Sequence, residues 1–174
     1  EKRSDFRVLF PRWLNVQEDD GVQEFYARVS QVTAEKGISD YFISHAWIPY
    51  QLLPEYYSLG DVTLSLGWFV ESFGNAVYES LGCGTPSVVA RIATHRELLP
   101  DTLVDKVDFD DAETAAEIVD EILSTERSSS PETLDYLKVH YNFTDQLETY
   151  AQTIEDAKIA KPMPFEPQLI TEST

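Results

Sequence analysis

The chain has 174 residues, with 31 acidic against 13 basic side chains and a formal net charge of −18. That length suits one domain with a core of ordinary size, and the charge argues against nucleic acid or an anionic lipid surface as partner. No apolar run reaches the roughly 18 residues a membrane span needs. The opening Glu1-Lys2-Arg3-Ser4-Asp5 lacks the apolar region of a signal peptide. The single cysteine, Cys83, excludes an internal disulfide and a cysteine metal cluster and fits a reducing compartment, the cytoplasm. The acidity is compatible with adaptation to high salt.

Residues 6–11 read as a buried strand that begins almost at once, and residues 12–21 as a polar loop. A helix follows over 23–36, with Phe25, Tyr26, Val29 and Val32 marking its apolar face and Gly37 ending it. Residues 41–47 form the next strand. Ile48-Pro49-Tyr50 turns out of its carboxyl end, and 51–58 is a short helix. His45, near the end of that strand, reads as a hydrogen-bonded core residue rather than an acid or base. Residues 61–67 are an apolar run of strand length ending in Gly67.

The stretch from Glu71 to Pro86 is the centre of the chain. It reads as loop, helix and tight turn, and Pro86-Ser87-Val88-Val89-Ala90 is another strand. Strand, helix and strand make a βαβ unit with parallel strands. Ser72 is placed to cap the helix, and Gly82 and Gly84 suit the left-handed turn that stops it. The first helical amides then point out of the carboxyl end of the sheet, where open α/β sheets bind anions. Glu71 stands before the helix and Glu79 within it, about 12 Å apart along its axis. Two carboxylates so spaced suit the hydroxyl groups at the two ends of an elongated ligand, because they accept charge-assisted hydrogen bonds. A diphosphate between them needs amides or cations. A nucleotide-sugar has that layout.

Beyond it, Arg91 and Arg96 are scarce positive charges. They either help neutralise phosphate or pair with Glu97 or Asp101 on the surface. His95 has no assigned role. Residues 102–104 read as a minimal edge strand. Residues 108–111 read as an acidic turn that caps a helix over 112–125, striped by Ala115, Ile118, Val119 and Ile122. The acidic cluster lacks the spacing of a calcium loop, and no metal site is expected. Residues 127–131 form a linker with Pro131 at the start of a helix over 131–140. A last helix spans 144–160, with Leu134, Leu137, Leu147, Tyr150 and Ile154 as anchors for the two. The tail, 161–174, reads as extended or disordered.

Glu71-x7-Glu79, with Ser72-Phe73-Gly74 after the first glutamate and Gly82-Cys83-Gly84-Thr85-Pro86 after the second, resembles the donor-site motif of retaining GT-B glycosyltransferases of the family-4 type. Leu53-Pro54-Glu55-Tyr56-Tyr57-Ser58-Leu59-Gly60-Asp61-Val62 resembles the segment that precedes it. The resemblance runs from about Arg7 to Leu123. It implies a Rossmann-like three-layer α/β/α parallel sheet, the carboxyl-terminal domain of such an enzyme, over residues 1–160. A first βα unit with a basic loop is expected before Phe6, as is an amino-terminal domain with the acceptor site, so the chain reads as a fragment.

The implied function is binding of a nucleotide-sugar donor for sugar transfer with retained configuration, with no cofactor and no metal. Glu71 is the expected catalytic residue, binding hexose hydroxyls and orienting the donor. Glu79 binds ribose hydroxyls. Ser72 and the amides of Phe73, Gly74 and Asn75 lie at the sugar or phosphate. Trp47 and Ile48 either face the nucleobase or pack beneath their loop. The residues at 68–70 line the sugar side or meet the other domain. The departures are Thr94-His95-Arg96, where relatives carry a Gly-rich turn, and His45, where many carry glycine. They leave open a non-catalytic nucleotide-sugar-binding or scaffold domain, or a plain doubly wound domain that binds a sugar phosphate.

Overall fold

A computed structural model describes residues 3–12, 20–67, 73–97 and 99–159. Glu71, Ser72, residues 68–70 and the tail read at 161–174 lie outside them. The chain divides into two compact units, Glu1–Gly60 and Asp61–Thr174.

In the first unit, strand β1 (Val8–Pro11) pairs in parallel with β2 (Phe42–His45), Val8 opposite Phe42 and Pro11 opposite His45. Helix α1 (Asp20–Glu35) connects them. It begins three residues earlier than expected, with Asp20 in its first turn, where a carboxylate favours the helix dipole. Its less exposed stripe is Val22, Tyr26, Val29 and Thr33, at i, i+4, i+7 and i+11. Phe25 stands one residue off that stripe and is exposed, contrary to its expected place on the apolar face. The Tyr26 ring stacks on Phe10, 6.0 Å between centroids, and its hydroxyl donates to the Pro11 carbonyl at 3.0 Å. Gly37 ends the helix with φ +66°. Helix α2 (Leu53–Ser58) follows β2 after a 3₁₀ turn, Tyr50–Leu52.

In the second unit, β3 (Thr63–Ser65), β4 (Ser87–Ala90) and β5 (Asp105–Val107) form a parallel sheet in that order. All four residues of the central β4 are buried, as in a strand covered on both faces. Val89 packs on one side with Val77, Leu81 and Leu137, from helices α3 (Asn75–Gly82) and α6 (Pro131–His140). Val88 packs on the other with Val107 and with Ala115 and Ile122 of α5 (Ala112–Thr125). Alternation along one strand thus feeds two cores and makes the α/β/α layering.

The strand expected at 102–104 is displaced to Asp105–Val107. Its two charged residues hide it in the sequence. Arg127 Nη2 holds Asp105 at 2.8 Å, and Lys106 Nζ, almost wholly buried, holds Asp101 at 2.9 Å. The Lys106 ammonium also donates to the Leu99 carbonyl and, at 3.3 Å, to that of Arg96, beyond the short helix α4 (Ala93–Glu97) and at its last turn. The caps of α5 and α6 fall where the sequence puts them. Asp111 accepts from the Thr114 amide at 3.0 Å and Ser130 from that of Thr133 at 3.1 Å, with Pro131 opening α6. Leu137 is buried, whereas Leu147, Tyr150 and Ile154 of the last helix, α7 (Phe143–Ile159), are exposed rather than anchored. No helix among the described residues is long and apolar enough to cross a membrane.

Candidate functional site

The predicted donor loop enters α3 at the carboxyl edge of the three-stranded sheet. Gly74, not Ser72, occupies the N-cap position, with φ +78° and ψ +46°. That left-handed conformation suits glycine. Among the described residues no side chain caps the helix, so with respect to them its leading amides stay turned to an acceptor placed before them. The turn that stops α3 uses only one of the two glycines expected there. Gly84 has φ +90°, while Gly82 is the last helical residue and Cys83 caps it in right-handed geometry.

Phe73 and Gly74, at the entry to α3, are held from several sides. Thr94 Oγ1 donates to the Phe73 carbonyl at 3.0 Å. The His95 ring, 4% exposed, lies against Gly74 so closely that a Cβ there would stand 2.2 Å from His95 Cε1. His95 Nε2 lies 3.4 Å from Ser65 Oγ at the end of β3. The Phe73 ring stacks on Tyr78 at 4.6 Å and meets Tyr141 edge-on at 5.9 Å. Burial raises the Tyr78 hydroxyl well above the ordinary tyrosine range, so it stays neutral. Thr94 and His95 are therefore the residues that sequence reasoning missed. The one available signal was the unusual Thr94-His95-Arg96 in place of a Gly-rich turn.

Within α3, Val77, Tyr78, Ser80 and Leu81 are buried, which turns Asn75 and Glu79 outward together. They stand one turn apart at i and i+4, neighbours on one face. The half-buried Glu79 carboxylate and the open amino end of α3 thus border the same outer strip. Arg91 holds Asp101 at 2.6 Å and approaches Asp108 at 3.9 Å, and Arg96 lies 3.4 Å from Glu97. Of the two roles open to these arginines, surface pairing is the one seen. Asp108, Asp105 (on Arg127) and the capping Asp111 are each engaged separately, and no three His, Cys, Asp or Glu side chains among the described residues are grouped as metal ligands.

In the first unit, Trp47 is half exposed and Ile48 half buried, in the segment leaving the carboxyl end of β2. His45 is hydrogen-bonded at both ring nitrogens, as expected. Nδ1 donates to the Ala46 carbonyl at 2.7 Å, and Nε2 lies 2.9 Å from the Tyr56 hydroxyl.

No family model and no curated protein matches the chain. Solved structures do. Sucrose-phosphate synthase from Thermosynechococcus elongatus superposes with a TM-score of 0.77 at 20% identity, over 89% of this chain and 39% of that one. Anabaena HepE in complex with UDP superposes with a TM-score of 0.71 at 15% identity, over 79% of this chain and 38% of that one. The HepE complex with UDP-glucose gives the same values. The chain thus spans under two fifths of the length of each of these proteins.

Proposed function

We propose that this chain, whose fold is that of the carboxyl-terminal domain of a GT-B glycosyltransferase, is the donor-binding part of a retaining glycosyltransferase. Residues 1–160 form its donor domain. The observation that carries the reading is the amino end of α3, capped by no side chain among the described residues and set at the carboxyl edge of the sheet by a left-handed Gly74, with the half-buried Glu79 one turn along the same outer strip. A diphosphate accepts from the leading amides of α3. Glu79 accepts from the ribose hydroxyls. Glu71 accepts from the hexose hydroxyls and orients the sugar, as the catalytic residue. Ser72 and the amides of Phe73, Gly74 and Asn75 border the sugar and phosphate, and Trp47 and Ile48 meet the base. The bound UDP and UDP-glucose of Anabaena HepE support a nucleotide-sugar as the ligand class.

Breaking the glycosidic bond leaves negative charge on the diphosphate, which amides and cations must stabilise. Arg91, Arg96 and Lys106 already hold carboxylates. The reading therefore assigns the missing positive charge to a basic unit outside these residues and the acceptor site to a partner domain, with no call for a metal or other cofactor. The chain by itself binds donor and turns nothing over.

The test is calorimetric titration of UDP, GDP and ADP, then of their sugar conjugates, into the chain and its Glu79→Ala variant. One nucleotide is expected to bind selectively. Loss of its hydrogen bonds to the charged carboxylate should weaken binding by about 1.5–3 kcal/mol. A Glu79→Ala variant that binds as tightly as the parent would sink the assignment, and sugar transfer by the chain alone would refute its dependence on a partner.

A further inference from the structure

Thr94 and His95, which stand where relatives carry a Gly-rich turn, belong to the five-residue helix α4. A helix that short does not hold itself together in water, so tertiary bonds decide where it sits. At its far end the buried Lys106 ammonium donates to the carbonyls of Arg96 and Leu99, and Asp101 holds that ammonium at 2.9 Å. From its first turn α4 reaches the entry to α3 twice. Thr94 Oγ1 donates to the Phe73 carbonyl at 3.0 Å, and the buried His95 ring lies where a Cβ of Gly74 would stand.

These two contacts restrain the one joint that nothing else fixes. The Phe73 ring is anchored on Tyr78, and α3 is anchored by Val77 and Leu81 in the core with Val89 and Leu137. Between them stands Gly74, and a glycine visits positive and negative φ almost equally. Its φ of +78° is therefore chosen by its surroundings. A peptide unit is planar, so the bond from Thr94 to the Phe73 carbonyl also sets the direction of the Gly74 amide. The Gly74 carbonyl accepts the first helical bond, from the Val77 amide at 3.0 Å. The amides of Asn75 and Ala76 lie ahead of that ladder, and their direction follows the dihedrals of Gly74.

We propose that Thr94 and His95 are positioning residues of the donor site. Thr94 fixes the plane of the Phe73–Gly74 peptide, and His95 fixes the dihedrals of Gly74. The amides of Gly74, Asn75 and Ala76 are thereby aligned before a diphosphate arrives. The two side chains act through Gly74, without contact to the ligand. The inference rests on the donor reading of α3 given above. Without the clamp, binding must order Gly74 at its own expense. The ordering of one residue corresponds to roughly five- to thirtyfold in affinity.

The test titrates two probes into the labelled chain: inorganic diphosphate, and whichever of UDP, GDP and ADP the chain selects. The variants are Thr94→Val, which keeps the side-chain shape without the hydroxyl, Thr94→Ser, which keeps the hydroxyl, and His95→Ala. Thr94→Val and His95→Ala should each bind both probes about five- to thirtyfold more weakly, and Thr94→Ser should restore the affinity. In the free Thr94→Val and His95→Ala chains the order parameter of the Gly74 amide should fall, while the Val88 and Val89 amide shifts of the sheet stay in place. Undiminished binding by Thr94→Val and His95→Ala overturns the inference and leaves the donor reading standing. A loss in Thr94→Val that Thr94→Ser does not recover assigns the effect to packing and also overturns it. A parent chain that binds none of the probes overturns the donor reading, and this inference with it.

Discussion

Gly74 shows how a single backbone position fixes the geometry of the candidate site. Its left-handed φ costs a side-chain-bearing residue about 1–2 kcal/mol, and His95 leaves no room for a Cβ. Gly74→Ala should therefore lose about 2–4 kcal/mol of stability, the strain of an overpacked contact adding to the dihedral cost. Gly84→Ala is the control, since φ is +90° but nothing lies within 4 Å of the added carbon. It should lose only the dihedral part. Urea unfolding of both variants decides it, and equal losses would remove His95 from the explanation. Removing the ring in a Gly74→Ala, His95→Gly double variant should recover part of the difference, a non-additivity expected of residues in contact. Asn75 and Glu79 were legible because a local motif places them on one helix. Thr94 and His95 were not, because their contacts with Phe73 and Gly74 bridge about twenty residues of sequence and leave no local pattern.

Among the elements, those with local punctuation were read nearly residue by residue. Helix α5 begins and ends where its acidic cap and apolar stripe predict, because Asp111 bonds its own third neighbour, Thr114. Asp111→Ala should cost about 1 kcal/mol, whereas Ile122→Ala, which opens space in the layer under Val88, should cost about 2–5 kcal/mol. Thermal unfolding of the two variants gives the ratio, and a larger loss at Asp111 would contradict the packing description. Strand β5 was misplaced because Asp105 and Lys106 look like surface until Arg127 and Asp101 are brought to them. Helix α7 shows the reverse. Phe143, Leu147, Tyr150 and Ile154 repeat at helical spacing, as a packed face would, yet they are exposed.

For the whole molecule, charge is the dominant property. With a net charge of −18, exposed carboxylates repel one another, and salt should raise the melting temperature at neutral pH by screening them. Acid acts on specific groups as well. Hydrogen bonds from Lys106 and Arg91 hold Asp101 below the ordinary carboxylate range, and the Thr114 bonds do the same for Asp111. A depressed native value means that the unfolded chain takes up protons first as the pH falls. The stabilisation from these groups is therefore complete above the ordinary carboxylate range and is lost through that range toward their lower native values. Melting temperatures measured from roughly pH 5 down to pH 2 should fall. Asp101→Asn should flatten that fall, and an unchanged slope would discount the Lys106–Asp101–Arg91 cluster.

The sequence by itself determined the α/β alternation, the helix between β3 and β4 with Glu79 within it, and the caps of α5 and α6. Each depends on bonds or periodicities spanning a few residues. Only the tertiary structure decided that Gly74 rather than Ser72 stands at the N-cap of α3, that His95 braces it, and that Asp101 holds Arg91. It alone placed Asp105 in a strand. Those outcomes depend on partners distant in the chain, whose approach is set by how two cores close on the two faces of β4.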